Sequence, residues 1–280
     1  MIILNHFFKE NKGLPVFSIL IIVAILLGCI FIPFIKGGNH GYMDLNSVNL
    51  HPNNIFYFGT DSLGRDIFNL IWYGGRASLF IGFTSTIIST VVGVIYGSIS
   101  GLASKSIDTI LMRFCEITLS IPTILLVIFV QGILGNNNIF TICVAIGISS
   151  WMSIAKIVRV EINQMKNSEY VVISRIMGGS FLHVLKTHLI PNFIPSIMFI
   201  IVSNIGSAIV MESTLSFLGL GLPVEIASWG SMLSLSEGAL LSNSWWVVFI
   251  PGFFIVLTLV SITNIGNFIR ENLNKKLGNL

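Results

Sequence analysis

The stretch SEYVVISRIMGGSFLHVLKTHLIP, residues 168–191, decides how the chain is laid out. It is apolar enough to be drawn as a membrane span, yet it carries Glu169, Arg175, His183, Lys186 and His188. Each charge at the bilayer centre costs roughly 2.5–3.5 kcal/mol on insertion scales, so a span is not expected here. Spans are expected elsewhere: the chain is 54% hydrophobic, 10% charged and has a mean hydropathy of +0.89. A surface built from such a composition needs lipid as its solvent, which makes the chain an integral membrane protein.

Six apolar runs fit this reading: residues 14–35, 77–103, 119–134, 139–158, 193–211 and 245–268. The first follows Lys9 and Lys12 as a signal peptide would, but Lys36 and its neighbours replace a small-residue cleavage site, so it reads as a retained span. Six spans place both termini on one side. With the N-terminus cytoplasmic, twelve Lys and Arg fall inside and only Lys36, Arg65 and Arg76 outside, as the positive-inside rule requires. A seventh span over 168–191 would send the tail carrying Arg270, Lys275 and Lys276 outside. The segment is therefore expected to be cytoplasmic.

Local pattern refines the layout. Ser78, Gly82, Thr86, Thr90, Gly93, Gly97 and Gly101 form a stripe of small residues along the second run, suited to close intramolecular helix packing. Residues 106–119 are amphipathic, with Asp108, Arg113 and Glu116, and read as a cytoplasmic helix that turns into the membrane at Pro122. Within 168–191, Tyr170, Val171, Ile173, Ile176 and Met177 recur at helical spacing. Gly178 or Gly179 suits a left-handed helix end, and Ser180 suits the cap of a second helix carrying Leu182, Leu185 and Leu189, with Pro191 opening the next span. The apolar faces of these two helices pack either on their own bundle or under a soluble partner.

Two further motifs stand outside the spans. FGTDSLGRDIFNLIWYGGRASL, residues 58–79, has Asp61, Arg65 and Asp66 close enough to neutralise one another, with Gly59 and Gly64 permitting a turned backbone. It reads as a folded exterior cap. ESTLSFLGLGLPVEIASWGSML, residues 212–233, has Gly219 and Gly221 breaking a helix, so its irregular backbone belongs inside protein or beside a wet cavity. Glu212, at the outer end of the fifth run, is expected to reach water or cap a helix.

These motifs carry a resemblance. Residues 168–191 resemble the coupling loop of ABC-importer permeases, patterned Glu-Ala-Ala, Gly four residues on, and Ile-x-Leu-Pro. In the peptide-permease branch it reads approximately EYVxAAxxLG…HILPN. Glu169, Tyr170 and Val171 match, as do Gly178 and the run from His188 to Asn192, while Val172, Ile173 and Ser174 stand where Glu-Ala-Ala would. Residues 58–66 resemble the GTDxLGRD signature, including Gly59 and Thr60, of the second permease subunit in dipeptide, oligopeptide and nickel importers. Residues 212–233 resemble its ExxLSFLGLG…P…SWGxML segment, and LMRFCEITLSIP at 111–122 resembles its MR…D…P pattern with Glu116 for Asp.

The resemblance implies an all-α polytopic fold with a peripheral first helix and a five-helix core, the type I ABC-importer permease fold. It divides the chain into residues 1–36 (N-terminus and first span), 37–76 (extracytoplasmic loop), 77–270 (core, with the coupling loop at 159–191) and 271–280 (tail). It implies a bacterial cytoplasmic membrane and four kinds of partner: a homologous second permease, two cytoplasmic ATPases, an extracytoplasmic solute-binding protein and membrane lipid. The cargo implied is peptide, with nickel or a metal chelate as the alternative. On this reading Glu169 to Gly178, with Arg175 supplying charge, couple to the ATPase, and Glu212, Phe217, Gly219, Gly221 and Trp229 are translocation or gate candidates. The chain has no GxxxxGK[ST] run, so ATP and Mg are expected on partner ATPases and no cofactor on this chain. Other classes fit less well. A secondary transporter would show inverted repeats and intramembrane carboxylates, an assembly protein would need no solute path, and an enzyme would need a nucleophile with its base. The five histidines show no ligand spacing, the three cysteines read as small core residues, and a net charge of +3 gives no case for nucleic acid.

Overall fold

The structure, a computed structural model, describes residues 15–36, 43–135, 138–235, 238–239 and 242–277. His6, Lys9, Lys12 and His40 lie outside it, as do the side chains of Arg175, Lys275 and Lys276. Among the described residues the fold is helical: α1 (Val16–Lys36), α2 (Ile67–Leu102), α3 (Lys105–Leu119), α4 (Thr123–Leu134), α5 (Ile139–Ser149), α6 (Met152–Met165), α7 (Glu169–Ile176), α8 (Phe181–Val184), α9 (Ile190–Phe217), α10 (Trp229–Leu233) and α11 (Trp246–Leu277). Four helical stretches are long and apolar enough to cross a membrane, and the bent pairs α3–α4 and α5–α6 bring the number to six if each is one span.

Helix α2 starts at Ile67, ten residues before the apolar run expected from sequence, because the Asp66 side chain accepts from the Phe68 N–H and caps it. Its early turns hold Arg76, which a hydropathy window treats as an end of the span. The charge is placed by α1 instead. Arg76 Nε donates to the carbonyl of Cys29 at 2.5 Å and its guanidinium to that of Ile30 at 2.9 Å. Pro33 has no N–H, so the Cys29 carbonyl four residues earlier loses its helical partner and Arg76 replaces it. The same guanidinium lies 5.3 Å from the ring centres of Phe34 and Tyr73. A proline in one helix and an arginine in the next thus fasten α1 to the core.

The small-residue stripe of α2 brings backbones together, as its spacing suggests. A Cβ at Gly93 would lie 2.8 Å from the Trp151 carbonyl oxygen, one at Gly97 2.5 Å from that of Ala155, and one at Gly101 2.8 Å from the Ile162 side chain. Lipid tails are as apolar as leucine, so helices in a bilayer associate through such close packing rather than through expulsion of water. Cys29, Cys115 and Cys143 are buried and reduced within this packing.

Helix α3 turns through 96° into α4 across Ser120–Pro122. Its inner face is held by Asp108, which accepts from Ser100 of α2 at 2.6 Å and from two nitrogens of Arg159 on α6, one of them at 2.9 Å. Helix α4 has 12 residues, about 18 Å at the helical rise, against a hydrocarbon core of about 30 Å. The fourth run is one bent helix rather than a straight one: α5 ends at Ser149 and α6 resumes at Met152 with a 43° bend.

The segment 168–191 also departs from expectation at one point. Helix α7 ends at Gly178, whose φ of +85° only glycine adopts at low cost, and the Gly179 N–H reaches back to the Ser174 carbonyl at 2.9 Å, closing a Schellman turn. Ser180 Oγ then accepts from the His183 N–H and caps α8, as its position suggests. Helix α8, however, does not stop before Pro191. A π-helical turn, Leu185–Leu189, carries it directly into α9, with the Ile190 N–H bonded to the Leu185 carbonyl. Widening the turn accommodates the missing Pro191 N–H, and the Asn192 side chain takes up the His188 carbonyl at 2.6 Å.

Candidate functional site

The end of the bundle that holds residues 44–66 is a closed polar network. Asp61 Oδ1 accepts from the backbone N–H groups of Leu63 and Arg65, both at 2.9 Å, and Oδ2 pairs with Arg65 Nε at 2.7 Å. Both side chains are only 3% exposed. Arg65 also donates to the Val224 carbonyl at 2.9 Å, linking this loop to the stretch after α9. The Trp246 indole N–H at the head of α11 donates to the Thr60 carbonyl at 3.0 Å. Gly64 closes the turn at a φ of +72°, where a Cβ would lie 1.9 Å from the Asp44 carbonyl oxygen. The carboxyl of Asp44 itself, hydrogen-bonded by the Ser47 hydroxyl and then by the Asn46 N–H, is held below the ordinary aspartate range. Asp66 serves as the cap of α2.

Beneath this cap sits Glu212, which neither reaches water nor caps a helix. It is fully buried, and its Oε1 accepts from Ser216 at 2.9 Å and from Ser228 at 2.7 Å. Gly230 of α10 packs so close that a Cβ would lie 2.9 Å from the carboxylate. Ser228 caps α10, and the Trp229 N–H donates to Ser78 of α2 while its indole N–H donates to the Ile71 carbonyl. Trp229 is therefore a packed anchor. Gly219, at a φ of +74°, turns the chain out of α9, and Gly221 lies against Ser216. Phe217 stands exposed beside Leu218 and Leu220.

The end formed by α7 and α8 has the opposite character. Among the described side chains of α7 only Val171 is buried, packed with Val184, Leu185, Leu189 and residues of α6. Tyr170, Val172 and Ile173 are exposed, and Ile176 and Met177 reach 79% and 83%. Glu169 is exposed and Ser174 half-buried. One face of the hairpin thus packs back on its own bundle, while an apolar row continued by Leu182 is uncovered.

A family model described as "Binding-protein-dependent transport system inner membrane component" matches residues 93–279. The chain belongs to this family. It is 38% identical over 270 residues to the oligopeptide transport system permease protein OppC of Bacillus subtilis (strain 168), covering 96% of this chain and 88% of that protein. It is 36% identical over 269 residues to the dipeptide transport system permease protein DppC of the same organism, covering 96% and 83%. OppC of Haemophilus influenzae is 35% identical over 271 residues, covering 96% and 86%. The chain is therefore a multi-pass membrane permease of the ABC-importer class, a transport component rather than a catalyst, working in a system that also has a binding protein and an ATPase.

Within this permease the residues singled out by sequence fall into two groups. Gly59, Thr60, Asp61, Gly64, Arg65, Asp66, Glu212, Gly221 and Trp229 are joined in one assembly, whereas Glu169 to Gly178 lie apart in the α7 hairpin. The seryl partners of Glu212 escaped the sequence reading. Ser216 lies one turn on in the same helix, but Ser228 follows sixteen residues later across a break and carries no signal of its own. No group of three His, Cys, Asp or Glu could hold a metal ion among the described residues, and His51 packs on Trp246 with ring centres 4.4 Å apart.

Proposed function

We propose that this permease carries peptides, pairing with a homologous second permease to form the path between them. Two cytoplasmic ATPases, which bind ATP and Mg, drive it, and an extracytoplasmic solute-binding protein supplies it. Both termini lie in the cytoplasm of a bacterial cell, on the charge bias of the loops. The relatives' names, dipeptide and oligopeptide permease, support the cargo.

The observation that carries the coupling role is the uncovered row Ile173, Ile176 and Met177 beside the Gly178 turn. Closure of the ATPases moves α7, α7 levers the continuous α8–α9 rod and the end of α6, and the bundle rocks between outward and inward openings. With Val172, Ile173 and Ser174 in place of an acidic pattern, contact depends on apolar burial rather than an ion pair at residue 172. A Cβ at Gly178 meets nothing within 4 Å, so a large side chain there would project into the space assigned to the ATPase.

The test is uptake by the whole importer in proteoliposomes, with labelled dipeptide, oligopeptide and nickel offered in turn. Peptide uptake that needs ATP is expected. Nickel uptake without peptide uptake would overturn the cargo. Gly178→Trp should abolish transport and weaken ATPase co-purification, and unchanged uptake with unchanged co-purification would overturn the coupling role.

A further inference from the structure

Midway between the two ends, where α5 breaks from α6, lies a cavity of about 220 Å³. Its polar lining comes from Thr123 of α4, Ser149, Ser150 and Ser153 around the break, and Asn204 and Ser207 of α9. No Asp, Glu, Lys or Arg lines it. Thr123, Ser153 and Ser207 are exposed on the surface of the chain. Three hydroxyls gathered at one opening suit water or protein better than acyl chains, which offer them no hydrogen-bond partner. Interrupted helix at membrane depth is tolerated for the same reason: it lines a cavity.

The cavity is rich in unused donors. Ser149 is 3% exposed and its Oγ has no partner, and Asn204 Nδ2 is buried with none. The first-turn N–H groups of Met152 and Ser153 have no acceptor within α6, a helix of 14 residues whose positive end faces the break. Buried donors left unpaired are costly, and a Ser149 or Asn204 side chain that turns to a ligand oxygen in the cavity recovers that cost. A volume of about 220 Å³ is below the roughly 300–1,000 Å³ of pockets that enclose a drug-sized ligand, so the site holds a short section of a chain at a time.

We propose that this cavity is an acceptor-oxygen subsite on the translocation path, in which Ser149, Asn204 and the α6 N-terminus bind a peptide carbonyl or carboxylate oxygen in transit. The proposal rests on the peptide-permease reading above. The absence of lining charge makes the subsite indifferent to the cargo's side-chain charge and responsive to what every peptide shares.

The experiment uses the complete importer in proteoliposomes, with a labelled tripeptide and the same peptide amidated at its C-terminus. Asn204→Leu and Ser149→Ala should each lower tripeptide uptake about ten-fold, the scale of losing one buried hydrogen bond. A loss shared by the amidated peptide assigns the oxygen to a backbone carbonyl, and a loss confined to the free acid assigns it to the terminal carboxylate. A second reading is independent of uptake. Ser207→Cys should react with a membrane-impermeant methanethiosulfonate, and saturating tripeptide should slow the reaction several-fold. Should Asn204→Leu fail to assemble, this labelling decides. Wild-type peptide uptake with unaltered variants, or a Ser207→Cys that never labels, would overturn the subsite alone. A wild-type importer that moves no peptide would overturn the cargo reading and the subsite with it.

Discussion

The cap at residues 44–66 and the hairpin at 168–191 both carry motifs that stand out in the sequence, yet the chain uses them differently. In the cap, Asp61 pairs with Arg65, Arg65 donates to the Val224 carbonyl and Trp246 donates to the Thr60 carbonyl, so three distant segments are joined and both charges are almost sealed from solvent. In the hairpin, Val171 and Leu189 are buried but Ile176 and Met177 stand almost fully open. A motif whose polar groups are consumed within the chain holds that chain's shape. An apolar row that its own chain leaves bare is, on the coupling role proposed above, a surface for another chain.

The contrast can be broken by substitution, with the largest effect on stability expected at the cap. Asp61→Ala leaves Arg65 buried without its carboxylate and should cost about 3–5 kcal/mol, read as a lower melting temperature of the purified permease. Asp108→Asn weakens the charge-assisted contacts that hold α3 to α6 and should cost about 1.5–3 kcal/mol in the same assay. Gly178→Ala meets no neighbour and pays only for its left-handed backbone, about 1–2 kcal/mol. Ile176→Ser should change permease stability by less than about 0.5 kcal/mol, because the side chain is exposed, while markedly weakening ATPase co-purification. Equal losses of stability at Asp61 and Ile176 would erase the distinction between the two ends.

Much of this was legible in the chain itself. Hydropathy located the apolar runs, the Gly93-Gly97-Gly101 spacing located the face that α6 packs on, and Gly178 and Ser180 marked the hairpin turn. What escaped reading depends on partners far away in sequence. Arg76 looked like the end of a span because its acceptors, the carbonyls of Cys29 and Ile30, lie in another helix. Glu212 looked like a boundary residue because Ser228 reaches it only after the chain doubles back. Pro191 does stand in the first turn of α9, but a sequence window cannot show the π-turn that joins that helix to α8 without a break. The break at Ser150 left no glycine or proline as a marker, so the cavity beside it was invisible until α9 stood opposite.

The claim that the α7 hairpin is the surface an ATPase grips is tested most directly by thiol labelling of Met177→Cys, since the native cysteines are buried. The rate with a water-soluble maleimide would be compared between the isolated permease and the assembled importer. Rapid labelling of the permease alone and at least ten-fold protection in the complex are expected. Equal rates in the two states would contradict the claim.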